Sequence, residues 1–181
     1  MSHSDTLREA LINRKEKICS KSEILEIIEE YKSRFKHRIS AENMLKYLSR
    51  HNYLKKIFHS YYYINSVDEQ KRHYCYLEDK ELLFSVLNAL KTNWYVGLNS
   101  AKYLSSANWQ VPRVLHIVNT KFSGRRRILS LKVSFSKIKP DLFFGLKQSV
   151  TKNKIPFKYS TAKKTAQDII YLRDPKWFGK K

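Results

Sequence analysis

Asn43, Lys46, Tyr47 and Arg50 stand at i, i+3, i+4 and i+7, the spacing that brings side chains onto one face of an α-helix. An amide, an ammonium, a phenol and a guanidinium on one face are the donors and acceptors that read base edges in a DNA major groove. A helix offering them must be held by its opposite face. Ala41, Met44, Leu45 and Leu48 supply that face, and Ser40 ahead of them is a favourable N-cap. After His51-Asn52 the period changes: Tyr53–Ile57 and Tyr61–Ile64 read as two strands joined at Phe58-His59-Ser60. A helix with a free polar face running into a basic hairpin is the layout of a winged helix-turn-helix. There the second helix enters the groove, while wing residues and the helix entrance touch the backbone. Lys55, Lys56 and His59 would be the wing contacts, and Arg38 and Ser40 the contacts at the entrance. The alternative is a helix packed on a hairpin in any small α+β domain. Charge favours nucleic acid: residues 32–56 hold eight Lys or Arg against one acid, Glu42, where an ordinary solvated face mixes signs.

The whole chain repeats this bias. Its 181 residues carry a net charge of +20, which points to an anionic partner, most often nucleic acid. The charge is uneven: +5 over residues 1–66 and +15 over residues 67–181. A length of this kind fits one large or two small domains with cores of their own. No apolar run approaches the roughly 20 residues that cross a bilayer, and no basic helix carries a bulky apolar face, so no membrane partner is expected. With two cysteines, Cys19 and Cys75, neither a disulfide framework nor a Cys-based zinc site is implied. The N-terminus lacks a signal-peptide h-region, and the expected compartment is the cytoplasm.

Taken in order, Ser4 is placed to cap a first helix burying Leu7, Ala10 and Leu11. Ser20-Lys21-Ser22-Glu23 spells a capping box before Ile24, Leu25, Ile28 and Tyr31. This second helix is acidic, which suits a scaffold behind the reading helix, and residues 33–39 form the basic connection. Residues 65–78 read as a polar link. A helix follows with Asp79 as its cap and Leu82, Leu83, Val86, Leu87 and Leu90 as its stripe. Residues 94–106 read as a shorter helix and 114–118 as a strand. Gly124-Arg125-Arg126-Arg127 reads as a basic turn, and 128–136 as a strand with Leu129, Leu131, Val133 and Phe135 on its buried face. Residues 140–145 and 155–159 would add short strands. A last helix would start at Ser160 or Thr161 and turn Ala162, Ala166, Ile169 and Ile170 inward. The expected domains are 1–66, 67–175 and a flexible tail, 176–181.

Catalytic chemistry is hard to place. The six histidines show no metal-ligand spacing, and neither a glycine-rich phosphate loop nor a G-x-S-x-G elbow occurs. A nuclease reading starting from Pro140-Asp141 finds no acid-x-Lys pair following at a useful distance, and Asp168 reads as a helix-surface or capping group. No cofactor or metal is expected. Arg125, Arg126 and Arg127 belong to a run from Lys121 to Lys139 with seven cations and no acid besides. They read either as a solvated hairpin tip or as an anion contact.

The motif order resembles a known family. The winged-helix pattern is followed by W-Y-V-G-L-N-S-A-x-Y-L, then Q-V-P-R-V-L-H-I-V, a basic turn and a strand. T-A-x-x-T-A-x-D-I-I-Y-L-R-D-P closes it. This is similar to the AbiEi-type antitoxins of type IV toxin–antitoxin systems, which are also transcriptional regulators. The resemblance implies that the N-terminal domain represses the system's own promoter and that the C-terminal domain counters a nucleotidyltransferase-like toxin. It would put Asn43, Lys46, Tyr47 and Arg50 at the base-reading positions. Wings of this type often turn on glycine, where this chain has His59-Ser60. The expected fold is therefore α+β, an N-terminal winged helix-turn-helix followed by a mixed α/β C-terminal domain. The expected function is sequence-specific duplex-DNA binding in transcription regulation, with a toxin and a second copy on DNA as further partners. The alternative is an RNA or single-stranded nucleic-acid accessory protein, with Tyr95, Trp109, Phe135, Phe143 and Phe144 as stacking surfaces.

Overall fold

A computed structural model describes residues 3–32, 40–105 and 110–173. The chain is α+β and divides into two compact units, Met1–Glu78 and Asp79–Lys181.

Unit 1 contains helices α1 (His3–Ile12), α2 (Lys21–Lys32), α3 (Ala41–Arg50) and α4 (Val67–Arg72), with strands β1 (Ile18–Ser20), β2 (Leu54–Phe58) and β3 (Tyr61–Ile64). Helix α1 begins at His3, so Ser4 lies within it and not at its cap. The capping box before α2 forms: the Ser20 amide donates to Glu23 Oε2 at 2.7 Å, and the Glu23 amide donates to Ser20 Oγ at 3.2 Å. The three strands form an antiparallel sheet in the order β1-β3-β2. Strand β1 has no sequence pattern of its own and is held by pairing with β3. Leu7, Leu11, Ile24 and Ile28 from the first two helices meet Met44, Leu45 and Leu48 of α3 and Leu54 and Ile64 of the sheet in one core.

The segment expected as a link contains α4, and the two units divide after Glu78, not after Ser66. Glu69 is the reason. Its buried carboxylate accepts from the Ser66 amide (2.7 Å), the Tyr76 amide (2.8 Å) and the Tyr63 hydroxyl (3.0 Å), tying residues 66–76 to β3.

Unit 2 contains α5 (Asp79–Ala89), β4 (Trp94–Val96), α6 (Leu98–Leu104), β5 (Leu115–Asn119), β6 (Gly124–Ile128), β7 (Leu131–Lys137), β8 (Leu146–Val150), β9 (Pro156–Ser160) and α7 (Ala162–Arg173). The six strands form a mixed sheet in the order β6-β7-β5-β4-β9-β8. Several expectations are corrected here. Asp79 is the first residue of α5 and accepts from the Ser130 amide at 3.0 Å. Leu90 falls just past the end of α5 and is half-buried. Residues 94–96 are a fully buried strand, not the start of a helix. Residues 140–142 form a 3-10 turn, not a strand. The strand expected over 128–136 is split by a turn at Leu129-Ser130, where Leu129 has φ 53°. Helix α7 is rotated from its expected setting: Lys164, Thr165 and Asp168 are buried, whereas Ala162, Ala166 and Ile170 are exposed. No helix among the described residues is long and apolar enough to cross a membrane.

Candidate nucleic-acid interface

Helix α3 is set by local chemistry. The Ser40 hydroxyl accepts from the Asn43 amide at 3.2 Å, and Ala41, Met44, Leu45 and Leu48 are buried on one side. Asn43, Lys46, Tyr47 and Arg50 are all exposed on the other. Glu42, the one acid in the helix, is paired with Lys21 at 2.8 Å, which ties the first turn of α3 to the start of α2. The outward face therefore offers donors without a free carboxylate. Tyr47 is 43% exposed, and its ring packs on His51 with centroids 4.2 Å apart. That contact fixes the phenol near the helix end. Ser40 is exposed, but its hydroxyl oxygen already serves the cap, so only its proton is open to a phosphate. Arg38 lies outside the described residues.

The hairpin divides the two expected wing lysines. Lys55 pairs in register with Tyr63 and Lys56 with Tyr62, and neighbours along a strand face opposite sides. Lys56 is exposed and shares a sheet face with Leu54 and Tyr62, while Lys55 is half-buried and shares its face with Tyr63. A bulge between Lys56 and Phe58 sharpens the bend. His59 holds the turn in the left-handed region at φ 52°, a conformation that usually favours glycine, and its ring lies edge-on to Phe58 at 4.1 Å. The Ser60 carbonyl accepts from the Lys21 amide at 2.6 Å, anchoring the turn to α2.

In unit 2 the three arginines occupy an edge strand and not a turn. Arg125, Arg126 and Arg127 are exposed along β6, which among the described strands pairs only with β7. Arg125 lies opposite Ser134 and Arg127 opposite Lys132, so these two share a face while Arg126 takes the other, opposite Val133. Two cations directly across a ladder repel each other. His116 continues the Arg125–Ser134 row. Its imidazole is held below its ordinary pKa, first by burial and then also by the Arg125 charge.

Behind the sheet, the Lys164 ammonium meets Asp168 Oδ1 at 2.6 Å and the Tyr95 hydroxyl donates to Oδ2 at 2.9 Å. All three side chains are buried. Burial pushes the Asp168 carboxyl above its usual value despite both donors, and pushes the Tyr95 phenol strongly upward. Asp168 is thus an internal charge and not a surface or capping group, and no contact here departs from a structural role. Asp141 is exposed in the 3-10 turn. No group of three His, Cys, Asp or Glu side chains placed to hold a metal occurs among the described residues. Of the aromatics expected to stack on bases, Tyr95 and Phe135 are core, Phe143 is half-buried with its ring against Tyr95, Phe144 is exposed, and Trp109 lies outside the described residues.

No protein-family model matches this chain, and no curated protein sequence matches it significantly.

Proposed function

We propose that this chain is a sequence-specific duplex-DNA-binding regulator of transcription in which unit 1 acts as a winged helix-turn-helix. One observation carries the reading. Helix α3 buries four apolar side chains, presents Asn43, Lys46, Tyr47 and Arg50 outward, and runs directly into a hairpin, within the order α1-β1-α2-α3-β2-β3. A helix followed at once by a short ribbon lets one element enter the major groove while the other meets the flanking phosphates. The cations of β6 and β7 are the second contact in this reading: an anion laid against Arg127 and Lys132 relieves their mutual repulsion. The reading assigns no catalysis and no cofactor to the chain, and it works in the cytoplasm. Its antitoxin component, in which the second unit counters a nucleotidyltransferase-like toxin, is supported by the order of motifs in residues 94–175 alone.

The test is selection of duplexes from a random pool by the full chain, followed by gel shifts on the enriched site. Arg50→Ala and Asn43→Ala are expected to lose discrimination by about 1–3 kcal/mol per bidentate base contact. Failure to enrich any site, or full site preference in both variants, removes α3 from the role.

A further inference from the structure

Between α5, α6 and the adjoining end of the six-stranded sheet lies a cavity of about 470 Å³. Its size falls within the range of small-ligand sites, roughly 300–1,000 Å³. The floor is apolar: Phe84, Val96 and Phe157 are buried there, and Leu115 and Leu131 are half-buried. Leu104 and Val111 extend this surface to the mouth, where they are 37% and 66% exposed.

The charged groups of the lining are all of one sign. Lys80, Arg113 and Lys132 are exposed at the rim, from three separate parts of the chain, and no carboxylate occurs among the described lining residues. None of the three is ion-paired with a described residue. Asp79, close by in sequence to Lys80, is occupied: it accepts from the Ser130 amide at 3.0 Å and from the Ser130 hydroxyl at 2.5 Å. The Ser100 hydroxyl is occupied too, accepting from the His116 amide at 2.9 Å and donating to the Val114 carbonyl at 3.2 Å. Tyr103, 39% exposed, adds a further hydroxyl to the lining.

We propose that this cavity binds a small organic anion with an apolar body, an aliphatic or aromatic carboxylate or phosphate. Hydrocarbon or a ring displaces water from the Phe84–Phe157 floor, while the anionic head meets Lys80, Arg113 and Lys132. An apolar pocket with a few convergent polar groups is the usual architecture of such sites. A neutral ligand of the same shape would gain nothing from the three exposed cations at the rim, so recognition of charge is built in.

Calorimetric titration of the full chain tests this with decanoate, 1-naphthoate and 1-decanol. Saturable one-to-one binding of at least one carboxylate is expected, with decanol roughly tenfold weaker or worse. Decanoate binding with no naphthoate binding points to an aliphatic ligand, and the reverse to an aromatic one; both support the site. The Lys80→Gln/Arg113→Gln/Lys132→Gln variant changes only exposed side chains. It is expected to lose about tenfold or more in carboxylate affinity and little in decanol affinity. Leu104→Trp, which fills the mouth, is expected to weaken both classes. No saturable carboxylate binding, equal binding of carboxylate and alcohol, or undiminished binding by the triple variant overturns the proposal. None of these substitutions touches α3, so the result is independent of whether unit 1 reads DNA.

Discussion

Lys164 and Asp168 neutralise each other inside unit 2, one helical turn apart at 2.6 Å, with 2% and 1% of their side chains exposed. The ammonium also lies over the Phe144 ring, 4.7 Å from its centroid, and Tyr95 closes the other carboxylate oxygen. Removing either charge strands its partner in a medium that solvates it poorly. Asp168→Leu and Lys164→Met alone are each expected to cost about 3–5 kcal/mol, and the double variant much less. Urea unfolding followed by intrinsic tryptophan fluorescence measures all three. Equal losses in the double and single variants would mean that the pair is not coupled.

Glu69 is expected to make unit 1 acid-sensitive. Burial alone would raise its pKa, but the Ser66 and Tyr76 amides, the Ser66 hydroxyl and the Tyr63 hydroxyl outweigh that and hold it below its ordinary 4.5. A carboxyl depressed on folding stabilises the native state above its unfolded pKa, and this is lost as pH falls through the lower folded value. Protection of the Tyr76 amide from hydrogen exchange should therefore be constant above about pH 5 and decline below 4.5. Glu69→Gln should lower protection at neutral pH and abolish the acid decline. A decline of the same size in the variant would assign it to other groups.

In the proposed regulator, the split of the two hairpin lysines between sheet faces is expected to separate their effects on DNA. Lys56→Ala is expected to weaken every duplex and to reduce the slope of log affinity against log salt by about 0.9, the value for one lost phosphate contact. Lys55→Ala should change the slope less. Equal slopes in the two variants would mean that the hairpin does not approach the backbone by the Lys56 face.

Arg127 and Lys132 oppose each other across β6 and β7. Arg127→Glu turns this repulsion into attraction, and a gain of about 0.2–1 kcal/mol in stability is expected. The same change should lower affinity for all duplexes. More stable protein with unchanged DNA binding would mark the arginines as guards of an exposed sheet edge, not as an anion contact.

Legibility followed locality. Ser40, the four apolar positions behind it and the hairpin after it are all encoded within 25 residues, 40–64, and α3 forms where its period predicts. Helix α4 also had a local signal, the S-x-x-E of Ser66–Glu69, which its short polar sequence obscured. Other elements depend on distant partners. Trp94–Val96 is buried on both faces, so it shows no alternation, and it runs into a helix after one glycine. Gly124–Arg127 has the composition of a turn because charge on an edge strand protects it from pairing with other sheets. The real turn, Leu129-Ser130, opens on an apolar residue in the left-handed region, and its single serine is a weak signal inside an alternating pattern. Helix α7 presents alanines and an isoleucine to solvent because its inward face is set by Tyr95, 73 residues earlier in the chain, and nothing near Lys164 announces that contact. Lys55 and Lys56 are adjacent in sequence, and only strand geometry shows that they point apart.

Helix α3 divides its duties cleanly: positions 41, 44, 45 and 48 anchor it, whereas 43, 46 and 50 bear on nothing the core requires. Such a helix is evolvable. Its outward residues can drift, or be randomised in a combinatorial library, while the scaffold keeps folding, so in the proposed regulator new site preferences are reachable by single steps that do not first pass through an unstable protein.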